Sequence, residues 1–265
     1  MIHYHVYPGG KRRIVTFSYD DGPVEDIRLI EMFNKYGVKG TFHLNGIRFA
    51  NCTEEEKEVL RRRYAGHEVS CHTLQHGWLP KMPLQSVVNE TAADRKVLEE
   101  IFGYPIIGMS YPCGCYSDAV IAALKSCGIV YSRTVNDTHT FYLPNDFMEW
   151  HPSCHHNDAM RCSKDFWDRF DSMWGEPLFY IWGHSFEFDT EEKWQAMEEF
   201  VASIAGNEKI WYATNIEIYR YYEAQKRLEI SMDETVFYNP SAIDVWVEKD
   251  NTQVIHIPAG QTVRI

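Results

Sequence analysis

Short apolar runs alternate with helix-period segments along most of this chain, and that alternation limits the fold more than any other feature. The run at 13–19 precedes a helical pattern at 25–36, where Ile27, Ile30 and Phe33 share a face and Gly37 marks the stop. A strand then reads over 38–44, a charged helix over 54–65, and the end of a third strand over 68–70. A helix over 83–102 and a strand over 105–110 follow. Ser117 reads as the N-cap of a helix ending before Gly128, with a strand over 129–132 beyond it. An irregular stretch at 134–163 leads to a helix near 164–173, a strand over 178–182 and a helix over 190–204. A short strand at 210–212 and a helix at 214–227 complete the series. Repeated β-then-α units call for parallel strands joined by right-handed crossovers, so the expected body is α/β and barrel-like.

From residue 228 the pattern changes to short alternating strands at 228–232, 235–238, 242–247, 254–257 and 262–265. Asn239-Pro240, Lys249-Asp250-Asn251 and Ala259-Gly260 supply the turns. So little pure β structure makes a thin core. The expected division is therefore a barrel over 1–227 and a small β appendage over 228–265 packed against it.

Composition excludes several classes of function. A chain of 265 residues can bury a full core. Its net charge of −12 argues against nucleic acid and anionic membrane surfaces, which need cationic patches. No run approaches the roughly 18 apolar residues of a membrane span. The N-terminus, Met1-Ile2-His3-Tyr4-His5-Val6, lacks the charged head and apolar run of a signal peptide. A cytoplasmic location is favoured, and a secreted mature form with its leader trimmed is the alternative. The 7 Cys are odd in number and lack framework spacing, which suits reduced thiols. A second metal site from Cys113, Cys115, Cys154 and His155 or His156 would be the sharper reading, but no paired C-x₂-C supports it. The 8 Trp and 16 Tyr suit sugar stacking and aromatic cores alike. Phe166, Trp167, Phe170 and Trp174, at helical spacing, are expected in the core.

Two clusters carry chemistry. Ser18-Tyr19-Asp20-Asp21-Gly22-Pro23 sets two carboxylates at the end of the apolar run 14–17, just before a Gly-Pro turn. A turn beginning at the second Asp lets both carboxylates reach one cavity, although strand alternation alone would send them to opposite sides. Like charges that close need a cation or a shared proton. The second cluster, His72-Thr73-Leu74-Gln75-His76, follows the third strand and can present two imidazoles to one ion from a helical turn or a tight loop. Thr73 stands where a zincin helix needs Glu, so that reading fails. One Asp with two His makes a three-ligand divalent site with open positions.

Thr16-Phe17-Ser18-Tyr19-Asp20-Asp21-Gly22-Pro23 resembles the TFDDGP motif of the polysaccharide deacetylases, carbohydrate esterase family four, with its NodB homology domain. His72-Thr73-Leu74-Gln75-His76 is similar to that family's H-[ST]-x-x-H motif. Lys39-Gly40-Thr41-Phe42, Gly66-His67-Glu68-Val69, Tyr111-Pro112-Cys113-Gly114 and Trp182-Gly183-His184 resemble further segments in the same order, over roughly 12–225. The resemblance implies a distorted (β/α)7-type barrel and a metal-dependent hydrolase that removes N-acetyl groups, with O-acetyl second, from a carbohydrate. It implies Asp20 as general base, His184 as general acid, and Asp21, His72 and His76 as ligands of one divalent ion, Zn first with Co, Ni or Mn as alternatives. A backbone N–H at Cys113 would help hold the oxyanion. Tyr111, Cys113, Trp150 and Trp182 are expected to line the substrate site. In the 149–156 segment, Trp150 is a candidate platform for a sugar ring, with a loop stapled by its own aromatic residues as the alternative.

The chain departs from the family pattern at three places. Tyr19 replaces a Phe-type residue, Ser110 stands where an Arg that pairs with the base is usual, and Trp182 replaces a Leu. A divergent subgroup with its own substrate preference is expected. The alternatives are an amidohydrolase acting on a non-sugar amide and a catalytically silent carbohydrate-binding protein.

Overall fold

The computed structural model describes residues 1–171 and 177–265. Ile2–His3 (β1) lies at the edge of a small peripheral sheet, and the main sheet begins with Arg13–Asp20 (β2). There follow Asp26–Tyr36 (α1), Gly40–Leu44 (β3), Glu54–Arg63 (α2), Glu68–Cys71 (β4), Leu84–Phe102 (α3) and Gly108–Ser110 (β5). Asp118–Ser126 (α4), Tyr131–Arg133 (β6), Cys154–His155 (β7), Ala159–Asp168 (α5) and Leu178–Gly183 (β8) come next. Glu191–Ile204 (α6), Ile210–Tyr212 (β9) and Asn215–Lys226 (α7) complete the body.

All the pairings of the main sheet are parallel, in the order β6-β5-β4-β3-β2-β8-β7, with β9 beside the first residues of β2. A single parallel bridge from Arg133 to Trp150 joins the β6 edge to the segment entering β7, so the sheet curls into the expected distorted (β/α)7-type barrel. β2 is buried from Ile14 to Asp20, as a strand covered on both faces must be. Phe17, Phe33, Phe42, Phe179 and Phe200 fill the layer between sheet and helices.

Two regions differ from the sequence-based reading. The stretch expected to be irregular over 134–163 contains β7, whose two residues are too few to show a period, and α5 starts at Ala159, not near 164. Phe166 and Phe170 are buried and Trp167 packs against the core, while Trp174 lies outside the described residues.

Beyond α7 the chain forms Glu229–Ile230 (β10), Val236–Tyr238 (β11), Val245–Lys249 (β12), Gln253–Ile257 (β13) and Thr262–Arg264 (β14). They make two three-stranded sheets, β10-β11-β14 and β1-β12-β13. Arg12 forms a two-pronged ion pair with Glu248, and the Tyr221 hydroxyl of α7 donates to the Val6 carbonyl at 2.7 Å. No helix among the described residues is long and apolar enough to cross a membrane.

α7 opens on a capping box, in which the Glu217 amide donates to the Thr214 hydroxyl and the Glu217 carboxylate accepts from the Thr214 amide. Replacing the nearly buried Thr214 with Ala should lower stability by about 1 kcal/mol. Urea denaturation of Thr214→Ala against the parent chain measures this.

Candidate active site

The site lies at the C-terminal ends of the strands, where barrel loops converge. Asp20 is the last residue of β2 and is 2% exposed. Asp21 has φ 76 and Gly22 φ 63, so the chain turns sharply between the two carboxylates and each leaves the strand in its own direction. Only glycine suits the second position: its φ is left-handed, and a Cβ there would come within 2.8 Å of Leu44.

His72 and His76 sit on a tight loop, not a helical turn, with Thr73 at φ 62 and His76 at φ 56. The loop is held from below. Asp94 accepts from the amides of Gly46 and His72 at 2.6 and 3.0 Å, and Asn45 donates to the carbonyls of His72 and Thr73 at 2.7 and 3.0 Å. His72 Nδ1 lies 2.9 Å from the Ser110 carbonyl, which can only accept, so the proton sits on Nδ1 and the Nε2 lone pair is free. That lone pair faces Asp21 Oδ1 at 3.6 Å, and His76 Nε2 lies 3.7 Å from the same oxygen. One donor atom from each of Asp21, His72 and His76 lies within 4.8 Å of the others. Burial lowers the His72 pKa and favours the neutral, ligating imidazole. A carboxylate and two imidazoles, one fixed by a carbonyl, make a chemically sound donor set for a divalent ion.

Asp20 is clamped on both oxygens. Ser110 donates to Oδ1 at 3.0 Å, and the guanidinium of Arg133 pairs with Oδ2. Burial works to raise the Asp20 pKa. Arg133 outweighs that, with help from His72 and His43, and holds the carboxyl well below the usual carboxylate range. Arg133 is itself fully buried; it donates to the Ser18 hydroxyl at 3.1 Å and the Thr134 carbonyl at 2.9 Å, and stacks over the Trp182 ring at 4.6 Å.

Sequence reasoning missed Arg133 altogether. It pairs in register with Ser110 on the adjacent parallel strand, so the cation absent at Ser110 reaches Asp20 from one strand further along. The only signal was a charged residue closing an apolar strand.

His184 follows β8, and its Nδ1 lies 3.3 Å from Glu187 Oε1. Burial works to lower the His184 pKa, but Glu187 and the fields of Asp20 and Asp21 raise it above the ordinary value. Glu187 was also missed; it lies in the turn Ser185–Glu187 and has His155 and His156 within ion-pair distance as well.

Two expected substrate contacts need correction. Trp150 is fully buried among Tyr131, Phe147 and Tyr180, because the bridge to Arg133 draws it into the barrel wall, and it offers no face for a sugar ring. The Tyr111 side chain is fully buried too, donating to the Met148 carbonyl at 2.8 Å and stacking on Tyr116. Trp182 is 9% exposed, wedged under Arg133, and its indole donates to Asp137 at 2.7 Å. Cys113 is exposed, with φ 55, in the turn Pro112–Gly114 after β5.

A sequence model described as polysaccharide deacetylase matches residues 8–132. A chitin deacetylase of Arthroderma benhamiae is 31% identical over 112 residues, 40% of this chain and 29% of that protein. A peptidoglycan-N-acetylglucosamine deacetylase of Bacillus cereus is 25% identical over 118 residues, 44% of this chain and 54% of that protein. The matched segments thus span between about a quarter and a half of these relatives. A crystal structure from Mycobacterium smegmatis, assigned as a polysaccharide deacetylase, superposes with a TM-score of 0.64 at 19% identity, covering 83% of this chain and 93% of that one.

Removing the guanidinium strands a buried carboxylate. Arg133→Met should cost about 3–5 kcal/mol of stability, and adding Asp20→Asn should recover most of it. A double-mutant cycle by chemical denaturation tests the coupling; additive losses would mean that the pair is not a unit.

Proposed function

We propose that this chain, which belongs to the polysaccharide deacetylase family, is a metal-dependent hydrolase that removes N-acetyl groups, in preference to O-acetyl groups, from a carbohydrate. The convergence of Asp21, His72 and His76 beside the clamped Asp20 carries this reading. The relatives named for chitin and peptidoglycan N-acetylglucosamine support the substrate class. Asp21, His72 and His76 would hold the ion, Zn²⁺ first among the candidates. Such an ion, when bound, polarises the acetyl carbonyl and acidifies the attacking water.

The remaining work falls to the chain. Asp20 takes a proton from that water. Because Arg133 holds its basicity low, Asp20 stays ionised at neutral pH and can act only on an already acidified partner. The carbonyl carbon becomes tetrahedral, and the backbone N–H of Cys113 is assigned to its oxyanion. His184 then gives its proton to the amide nitrogen, the C–N bond breaks, and acetate and a free amine leave. The raised pKa of His184 keeps that proton available near neutrality.

Acetate release should be measured on chitin oligomers, peptidoglycan fragments, acetylated xylan and small amides, alongside metal content. Asp20→Asn is expected to keep its ion and lose at least about 10²-fold in kcat, whereas His76→Ala should lose the ion itself. Turnover of small amides with none on acetylated sugars would replace the carbohydrate reading, and full activity in Asp20→Asn would remove the base.

The protonated form of His184 is the active one, and its raised pKa carries activity to higher pH before the alkaline limb falls. Glu187→Gln removes the nearby carboxylate, so the limb should move to lower pH in a kcat–pH profile; an unmoved limb would reject Glu187 as the partner of His184.

A further inference from the structure

A second group of donors lies at the ends of β7 and β8. His155 Nε2 is 2.9 Å and His156 Nε2 3.2 Å from one oxygen, Oε2 of Glu187, and the three atoms lie within 4.8 Å of one another. These are contact distances without hydrogen-bond alignment. Neither ring nitrogen of His156 nor Oε2 of Glu187 has a hydrogen-bond partner among the described residues, and all three atoms are buried. The His156 side chain is only 1% exposed. Leaving a buried polar atom unpaired costs about 1–3 kcal/mol, and an ion between His156 Nε2 and Glu187 Oε2, 3.2 Å apart, would satisfy both. Donors bonded tetrahedrally at about 2.0–2.2 Å lie about 3.3–3.6 Å apart, so the 2.9 and 3.2 Å contacts to Glu187 Oε2 would open slightly around an ion.

The position of His156 is built into the fold. Its ring lies over Gly183, where a Cβ would come within 2.0 Å of Nδ1, and it packs against Phe188 at 4.4 Å and Tyr19 at 5.8 Å between ring centres. His155 Nδ1 accepts only a long 3.4 Å contact from the Asn157 amide, which it would give up on coordinating through Nε2, since its proton must then sit on Nδ1. Two imidazoles and a carboxylate suit borderline-soft divalent ions such as Zn²⁺.

We propose that His155, His156 and Glu187 form a second divalent-cation site, separate from Asp21, His72 and His76, and that an ion bound there withdraws Glu187 from His184 and slows turnover. The inhibitory half rests on the function proposed above; the binding half does not.

The test is to strip the protein with chelator, dialyse it against Zn²⁺ and count ions per chain by mass spectrometry of the metal. Wild type should hold two ions, His155→Gln and His156→Gln one each, and His76→Ala one, held at the second site. Excess Zn²⁺ should inhibit wild type, and His155→Gln should shift the inhibition midpoint upward by about tenfold or more. One ion per wild-type chain at saturating Zn²⁺ that is retained in His155→Gln, or two ions in His155→Gln, would overturn the second site. Two ions that leave turnover unchanged would overturn the inhibitory half alone. A single ion that survives His76→Ala and is lost in His155→Gln would count against the proposed catalytic centre and leave this site standing.

Discussion

The contact between the Asp20 carboxylate and the Arg133 guanidinium, both out of reach of solvent, is the constraint around which the centre is arranged. A lone charge at that depth would be neutralised or would unfold its surroundings; paired and hydrogen-bonded, it becomes a fixed point. Arg133 ties β6 to β2, its Nε reaches Ser18, and Ser18 in turn meets His43 of β3 at 2.9 Å. Ser110 of β5 closes the ring by donating to Asp20 while lying 2.7 Å from His72 Nδ1. Four strands are therefore held in register by one polar cluster, and the His72 lone pair is aimed by the same hydroxyl and carbonyl that steady the base.

The neighbouring carboxylates are separated by geometry rather than by type. Asp20 completes a strand and is clamped on both oxygens, whereas Asp21 occupies a left-handed position and turns toward His72 and His76. Glu187 is the corresponding hub on the acid side, with three imidazoles within 3.3 Å. A single carboxylate among three histidines cannot serve all of them equally, which makes its allegiance a natural point of control.

Much of the molecule was legible in the chain. The strand and helix periods located β2, β8, α1, α3 and α7 to within a residue or so, because long amphipathic or fully buried runs leave a strong signal. β7 was invisible, since two residues carry no period, and the start of α5 was hidden by a preceding segment that reads as loop. Trp150 looked like a binding aromatic because a large ring in a loop is exposed as often as not; the bridge to Arg133 turned it inward.

The sequence by itself determined the alternation that demands a parallel barrel, and the two motifs that bring Asp20, Asp21, His72 and His76 into play. Those are local properties, written in spacing and residue type. Which cation answers Asp20, and which carboxylate answers His184, was decided only in the tertiary structure. Arg133 lies 113 residues from Asp20 along the chain, and no local pattern links them. Parallel register set Ser110 beside Arg133, and barrel curvature carried that long side chain inward to the one buried charge that needed it.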